Sequence, residues 1–177
     1  MAFSRPFLVG AGCIPDDQMQ SVSKVLAKAW GGKLIEHSCL EDPIKVLDSL
    51  PADQGLVQLL GDAAMQNAYR GSWLEALGAW RQPMILLAFP TNAGVPGVAP
   101  AYTALCHALC VPLLGIIQVG GDWDSLHRKS DGLPWCGWLP IGSELQKVED
   151  KSFIQYEELK AEETTLILRK RLMDLSH

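Results

Sequence analysis

Short runs of consecutive apolar residues alternate along the chain with stretches whose apolar residues recur every three to four positions. The first kind suits strands buried on both faces, the second amphipathic helices. Phe7–Gly10 is the first apolar run, and the stretch from Asp17 to Trp30 carries Met19, Val22, Val25, Leu26 and Ala29 at helical spacing before Gly31-Gly32. Lys33–His37 predicts a second strand and Glu41–Leu50 a short helix. The run from Gly55 to Leu60 predicts a third strand, closed by Gly61-Asp62. A helix is expected around Ser72–Trp80, with Ser72 and Glu75 at capping-box spacing. Pro83–Phe89 reads as a central parallel strand, Val98–Cys110 as a helix with Pro100 in its first turn, and Leu113–Val119 as another strand. A polar loop from Asp122 to Gly132 leads to a last short strand, Trp135–Leu139. An amphipathic tail spans about 153–175, with Leu159, Leu166, Leu168, Leu172 and Leu175.

This alternation predicts an α/β fold of three layers: a central, mostly parallel sheet with helices on both faces. Residues 1–177 read as a single domain without internal repeats. In such sheets ligands sit beyond the carboxyl ends of the strands. That rule selects the loops Gly10–Asp17, Gly61–Arg70, Pro90–Gly97 and Gly120–Asp124. The candidate ligand-binding residues on them are Gly10, Gly12, Asp16, Asp17, Gly61, Asp62, Asn92, Gly94, Asp122 and Asp124.

Composition narrows the partners. The net charge of −5 and pI near 5.3 argue against nucleic acid or an anionic membrane surface. The one dense basic patch is Arg169-Lys170-Arg171. The start of the chain lacks the long apolar segment of a secretory signal. The weakly polar stretch Val95–Gly121 is interrupted by Pro96, Pro100 and Pro112, which disfavours a membrane span. Five cysteines (Cys13, Cys39, Cys106, Cys110 and Cys136) include no CxxC pair, which suggests reduced thiols and a cytoplasmic location.

The turn after the first strand stands where nucleotide-binding α/β proteins hold phosphate, using backbone N–H groups and a lysine. Here the nearest following lysine is Lys24, and Asp16-Asp17 occupy the helix start. Gly10-x-Gly12 lacks the third glycine of a dinucleotide fingerprint and fits a tight strand-to-helix turn as well. Asp16 and Asp17 fit as helix caps that complement the dipole, or as metal ligands. Cys106, His107 and Cys110 have metal-ligand spacing on a helix that is otherwise apolar, which also suits core packing. Asp122, Asp124, His127 and Asp131 crowd one loop, with Trp123, Trp135 and Trp138 close by. They read as a solvated loop, a ligand wall or a partner-binding patch. Ser72, His107 and Asp62 form no recognisable triad.

From Gly55 to Pro140 the order of pieces resembles the dethiobiotin synthetase family, a P-loop class of α/β proteins. The likeness rests on the glycine turn Leu59-Leu60-Gly61-Asp62-Ala63 and on Trp73 ahead of Gln82-Pro83-Met84-Ile85-Leu86-Leu87. It continues through Ala93-Gly94-Val95, Leu113-Leu114-Gly115-Ile116-Ile117 and Trp135-Cys136-Gly137-Trp138-Leu139-Pro140. The resemblance implies ATP- and magnesium-dependent carboxylation of a diamine in biotin synthesis, and pairing of subunits. The sites of that chemistry depart from the family pattern. With the family's first loop glycine on Gly10, its glycine-lysine-threonine falls on Asp16, Asp17 and Gln18. Its glutamate-glycine becomes Leu60-Gly61, with Asp62 the nearest acidic residue, and its adenine-reading asparagine falls near Gly120-Gly121-Asp122. The expectation is a non-catalytic binding or regulatory module that has lost ATP binding. The alternative is an altered enzyme acting on a small ligand at the sheet's carboxyl edge. No cofactor is evident; ATP and magnesium follow only if the family activity survives. The expected partners are a second copy in a homodimer, a small-molecule ligand or another protein, with no nucleic acid and no membrane.

Overall fold

The computed structural model describes residues 5–51, 55–69, 71–90, 97–140 and 151–175, the side chains of 151–153 excepted. The elements are β1 (Phe7–Gly10), α1 (Asp16–Trp30), β2 (Lys33–Ser38), α2 (Pro43–Ser49), β3 (Gly55–Leu60) and α3 (Trp73–Ala79). They continue as β4 (Met84–Ala88), α4 (Val98–Ala108), β5 (Leu113–Val119), α5 (Ser125–Ser130), β6 (Trp135–Leu139) and α6 (Lys151–Asp174). The six strands form one sheet in the order β2-β3-β1-β4-β5-β6. Every pairing among them is parallel.

The strand order and the two layers of helices explain each other. The step from β1 to β2 passes over β3 in one direction; every later step runs the opposite way. Right-handed crossovers then require the first helix to lie on one face and the next helices on the other. The two cores match this. Phe7, Val9, Val57, Leu59, Met84 and Leu86 pack with Val46 and Leu47 of α2, Trp73, Leu74 and Leu77 of α3, and Tyr102 and Cys106 of α4. On the opposite face Leu8, Leu56, Ile85, Leu87 and Ile117 pack with Met19, Val22 and Leu26 of α1 and with Ala161 and Leu168 of α6. β1 therefore marks the point where the crossovers reverse, and the crevice at its carboxyl end is the ligand position that such sheets favour.

Local chemistry sets the element ends. Gly31 closes α1 in the left-handed conformation at φ 67°. Ser72 and Glu75 form the reciprocal capping box at the start of α3, as their spacing predicts. Cys106 is fully buried as a core residue, whereas Cys110 is exposed.

Three expectations are corrected. α2 begins at Pro43, because Asp42 accepts from the Ile44 and Lys45 N–H groups. The loop from Asp122 to Gly132 contains a helix, α5, capped by Asp124 through the Leu126 and His127 N–H groups. It buries no residue, so no apolar periodicity announces it. The apparent basic patch is partly engaged within the protomer, although Arg169 and Lys170 stay exposed. Arg171 donates to the carbonyls of Leu114 at 2.8 Å and of Pro134 and Trp135 at 3.2 Å, fastening α6 to the sheet. Arg169 stacks over Trp30 and donates to its carbonyl. The weakly polar stretch that begins at Val95 holds α4 and β5. Among the described residues no helix is long and apolar enough to cross a membrane.

Candidate functional site

The loop after β1 is closed upon itself. The Ala11 N–H donates to the Leu87 carbonyl at 2.8 Å, so pairing with β4 continues one residue past the strand. The chain then turns through Gly12 at φ 88°. Ile14 folds back over Gly10, where an added Cβ would lie 2.7 Å from Ile14 Cγ1 and 3.3 Å from Met19 Sδ. This contact needs glycine at position 10, and it places a hydrocarbon side chain against the turn. Pro15 is the N-cap of α1 and supplies no side-chain hydrogen bond. Asp16 and Asp17 thus do not cap; they are the first two residues inside the helix, complementing its dipole. Two carboxylates there oppose an incoming anion.

The loop after β3 is tied to α4 by one side chain, Tyr102. Tyr102, 5 % exposed, donates its hydroxyl to Asp62 Oδ1. The same hydroxyl oxygen accepts from the Ala64 N–H at 3.3 Å. Asp62 Oδ1 accepts a further bond from the Ala64 N–H at 2.9 Å. Burial, then the bond to Asp62, pushes the Tyr102 phenol up from its ordinary value, so it stays a donor at physiological pH. Gly61, at φ 96°, packs against Cys39. Burial and then the Asp62 charge push the Cys39 thiol up to about 12, with a smaller contribution from Cys13. Among the described residues no group of three or more His, Cys, Asp or Glu side chains is arranged to hold a metal ion.

A cleft of about 440 Å³ opens farther along the same edge, between the loop after β5, β6 and α6. Its walls are aromatic: Trp123 and Trp138 from the sheet side, Tyr156 from the helix. Trp138 and Tyr156 meet edge to face with centroids 6.4 Å apart. Its polar groups are Asp122, Lys160, Glu163 and Thr164. Lys160 donates to Glu163 at 2.8 Å and lies 5.6 Å from the Tyr156 ring centre. That hydrogen bond holds Lys160 above its ordinary pKa, hence protonated. The rim is held in shape. Trp138 Nε1 donates to the carbonyls of Gly120 and Gly121, and buried Gln118 donates to the carbonyls of Gly120 and Asp122. Arg128 donates to the Gln118 side chain and stacks on Trp135, whose indole N–H bonds to Asp131. Such a cleft can seat a flat ring against its aromatic walls and present it with both a cation and carboxylates.

The sequence-derived residues thus separate into groups. Gly10, Gly12, Asp16 and Asp17 form the closed turn. Gly61 packs against Cys39, and Asp62 joins α4 through Tyr102. Asp122 lines the cleft, whereas Asp124 serves as the N-cap of α5. Asp131 is likewise engaged, with Arg128 and Trp135. Asn92 and Gly94 lie outside the described residues. Sequence reasoning missed Tyr102, although it is the one tyrosine on α4. It also missed Tyr156, Lys160, Glu163 and Thr164, whose three- and four-residue spacings put them on one helix face. No family model matches the chain, and no curated protein matches it either.

Proposed function

We propose that this chain is a degenerate relative of dethiobiotin synthetase, a non-catalytic binding module that has lost ATP binding and takes a small ligand at the carboxyl edge of its sheet. The observation that supports the loss is the closed turn after β1. Ile14 packs onto Gly10, Pro15 caps the helix, and Asp16 and Asp17 occupy its first turn. A triphosphate at that turn would meet a hydrocarbon side chain and two carboxylates in place of open N–H groups and a lysine. The wall of Trp123, Trp138 and Tyr156 supports the cleft beside α6 as the ligand position. Tryptophan fluorescence reads that cleft directly. A panel of heteroaromatic compounds with and without phosphate is expected to quench the emission for the unphosphorylated members. Trp138→Phe should abolish most of that response. If phosphorylated members alone quench, the assignment fails.

The cleft's Lys160–Glu163 pair favours a second reading, an altered enzyme acting on a small ligand, including ATP-dependent carboxylation of a diamine. Thermal shift against nucleotides, diaminopelargonate-like amines and divalent metals separates the two. Stabilisation by the amine only when ATP and magnesium are present would favour the enzyme.

A further inference from the structure

The aromatic cleft beside α6 carries more negative charge than positive. Its charged side chains are Asp122, Lys160 and Glu163, two carboxylates against one ammonium. Lys160 donates to Glu163 at 2.8 Å, so those two charges compensate each other. Asp122 is exposed, and its carboxylate has no hydrogen-bond or ion-pair partner among the described residues. Only its backbone carbonyl is engaged, by Gln118. Trp138 spends its indole N–H on the carbonyls of Gly120 and Gly121, so that part of the wall keeps no donor for an anion. Aromatic faces are electron-rich and attract cations. The wall already shows this within the protein: the Lys160 ammonium lies over the Tyr156 ring, 5.6 Å from its centre.

We infer that the ligand of this cleft is a flat heteroaromatic monocation, its charge on a ring nitrogen, with Asp122 as counter-ion and Trp123, Trp138 and Tyr156 as the wall. The inference rests on the proposed reading of the cleft as the ligand position and adds the ligand's charge. A phosphorylated ring would bring anions to a site that already has an excess carboxylate. A neutral ring would stack without using Asp122. An aliphatic ammonium is a compact, strongly hydrated point charge, whereas a ring cation spreads its charge over the surface that stacks. Small-ligand pockets hold roughly 300–1,000 Å³. At about 440 Å³ this cleft lies near the lower end and suits one or two fused rings. Lys160 is a built-in competitor: its ammonium occupies Tyr156 and neutralises Glu163, both of which a cationic ligand would use. Removing its charge therefore strengthens binding of a cation.

Isothermal titration of the full chain with 1-methylquinolinium and with its neutral parent, quinoline, tests the inference near neutral pH and at low ionic strength. The two probes share one ring system and differ in charge. The cation is expected to bind at least about tenfold more tightly than quinoline. Asp122→Asn should reduce that advantage to less than about threefold, because the counter-ion is gone. Lys160→Met keeps an unbranched apolar stem and should tighten the cation at least about threefold. Circular dichroism checks that both surface variants fold. Quinoline binding as tightly as the cation overturns the inference and leaves the cleft standing as a site for neutral rings. No heat from either probe up to about 5 mM overturns both the inference and the reading of the cleft on which it rests. A cation preference that survives Asp122→Asn in full, or cation binding weakened by Lys160→Met, overturns the inference as well.

Discussion

Replacing Tyr102 with phenylalanine removes one hydroxyl oxygen and leaves the ring that packs among β1, β3 and α4. The hydroxyl donates to the Asp62 carboxylate and accepts from the Ala64 N–H. Hydrogen bonds to a charged group contribute about 1.5–3 kcal/mol each. The Ala64 N–H keeps its 2.9 Å bond to Asp62, so that donor is not orphaned. The net loss is therefore set by the Tyr102–Asp62 bond and comes to about 1.5–3 kcal/mol. In a chain of this length each kcal/mol moves the melting temperature by about 2–4 °C, which gives a fall of about 3–12 °C. Urea unfolding of the parent, Tyr102→Phe, Asp62→Ala and the double variant closes a thermodynamic cycle. A coupling energy above about 1 kcal/mol is expected, because the two side chains bond directly. A loss below about 0.5 kcal/mol for Tyr102→Phe, or strict additivity in the cycle, would refute the claim that this bond ties the loop after β3 to α4.

Other consequences can be checked as simply. Gln58 is fully buried in β3 beneath α1, and neither of its amide atoms has a protein hydrogen-bond partner. Gln58→Met should raise stability by about 1–3 kcal/mol in urea unfolding, and a loss of stability would show that the amide is satisfied. Bonds from the Ser72 backbone and side chain hold Glu75 below its ordinary value of 4.5. Its contribution is therefore present above pH 4.5 and lost as pH falls through the lower folded value. Glu75→Gln keeps a capping group without the titration, so its stability curve should be flatter between about pH 5 and 3. Burial raises the thiols of Cys39 and Cys106 to about 12 and of Cys136 to about 11, while Cys13 and Cys110 are exposed. A thiol reagent at pH 8 should label Cys13 and Cys110 in the folded protein, and fast labelling of Cys39 would contradict the packing at Gly61.

What the sequence revealed follows from what leaves a local trace. β1, β4 and β5 lie inside the sheet, so nearly every residue in them is apolar and their runs are plain. α1 and the capping box of α3 are written within one or two helical turns. α5 left no such trace, because it is held by Asp124 and by Arg128 on Gln118 and buries nothing. The tie between Tyr102 and Asp62 joins residues far apart in the chain, and it exists only because α4 packs over the sheet between two loop ends. The cleft is similarly non-local: Trp138 and Tyr156 come from β6 and α6. Asp16 and Asp17 were legible as acidic residues at a helix start, but the role of cap went to Pro15 once Ile14 turned back onto Gly10.

The proposed loss of ATP binding is tested most directly by isothermal titration of the full chain with magnesium and ATP at low ionic strength. A turn closed by Ile14 and fronted by Asp16 and Asp17 predicts no saturable heat up to about 1 mM nucleotide. Saturable binding with a micromolar Kd, weakened by Ile14→Asp at that turn, would contradict it.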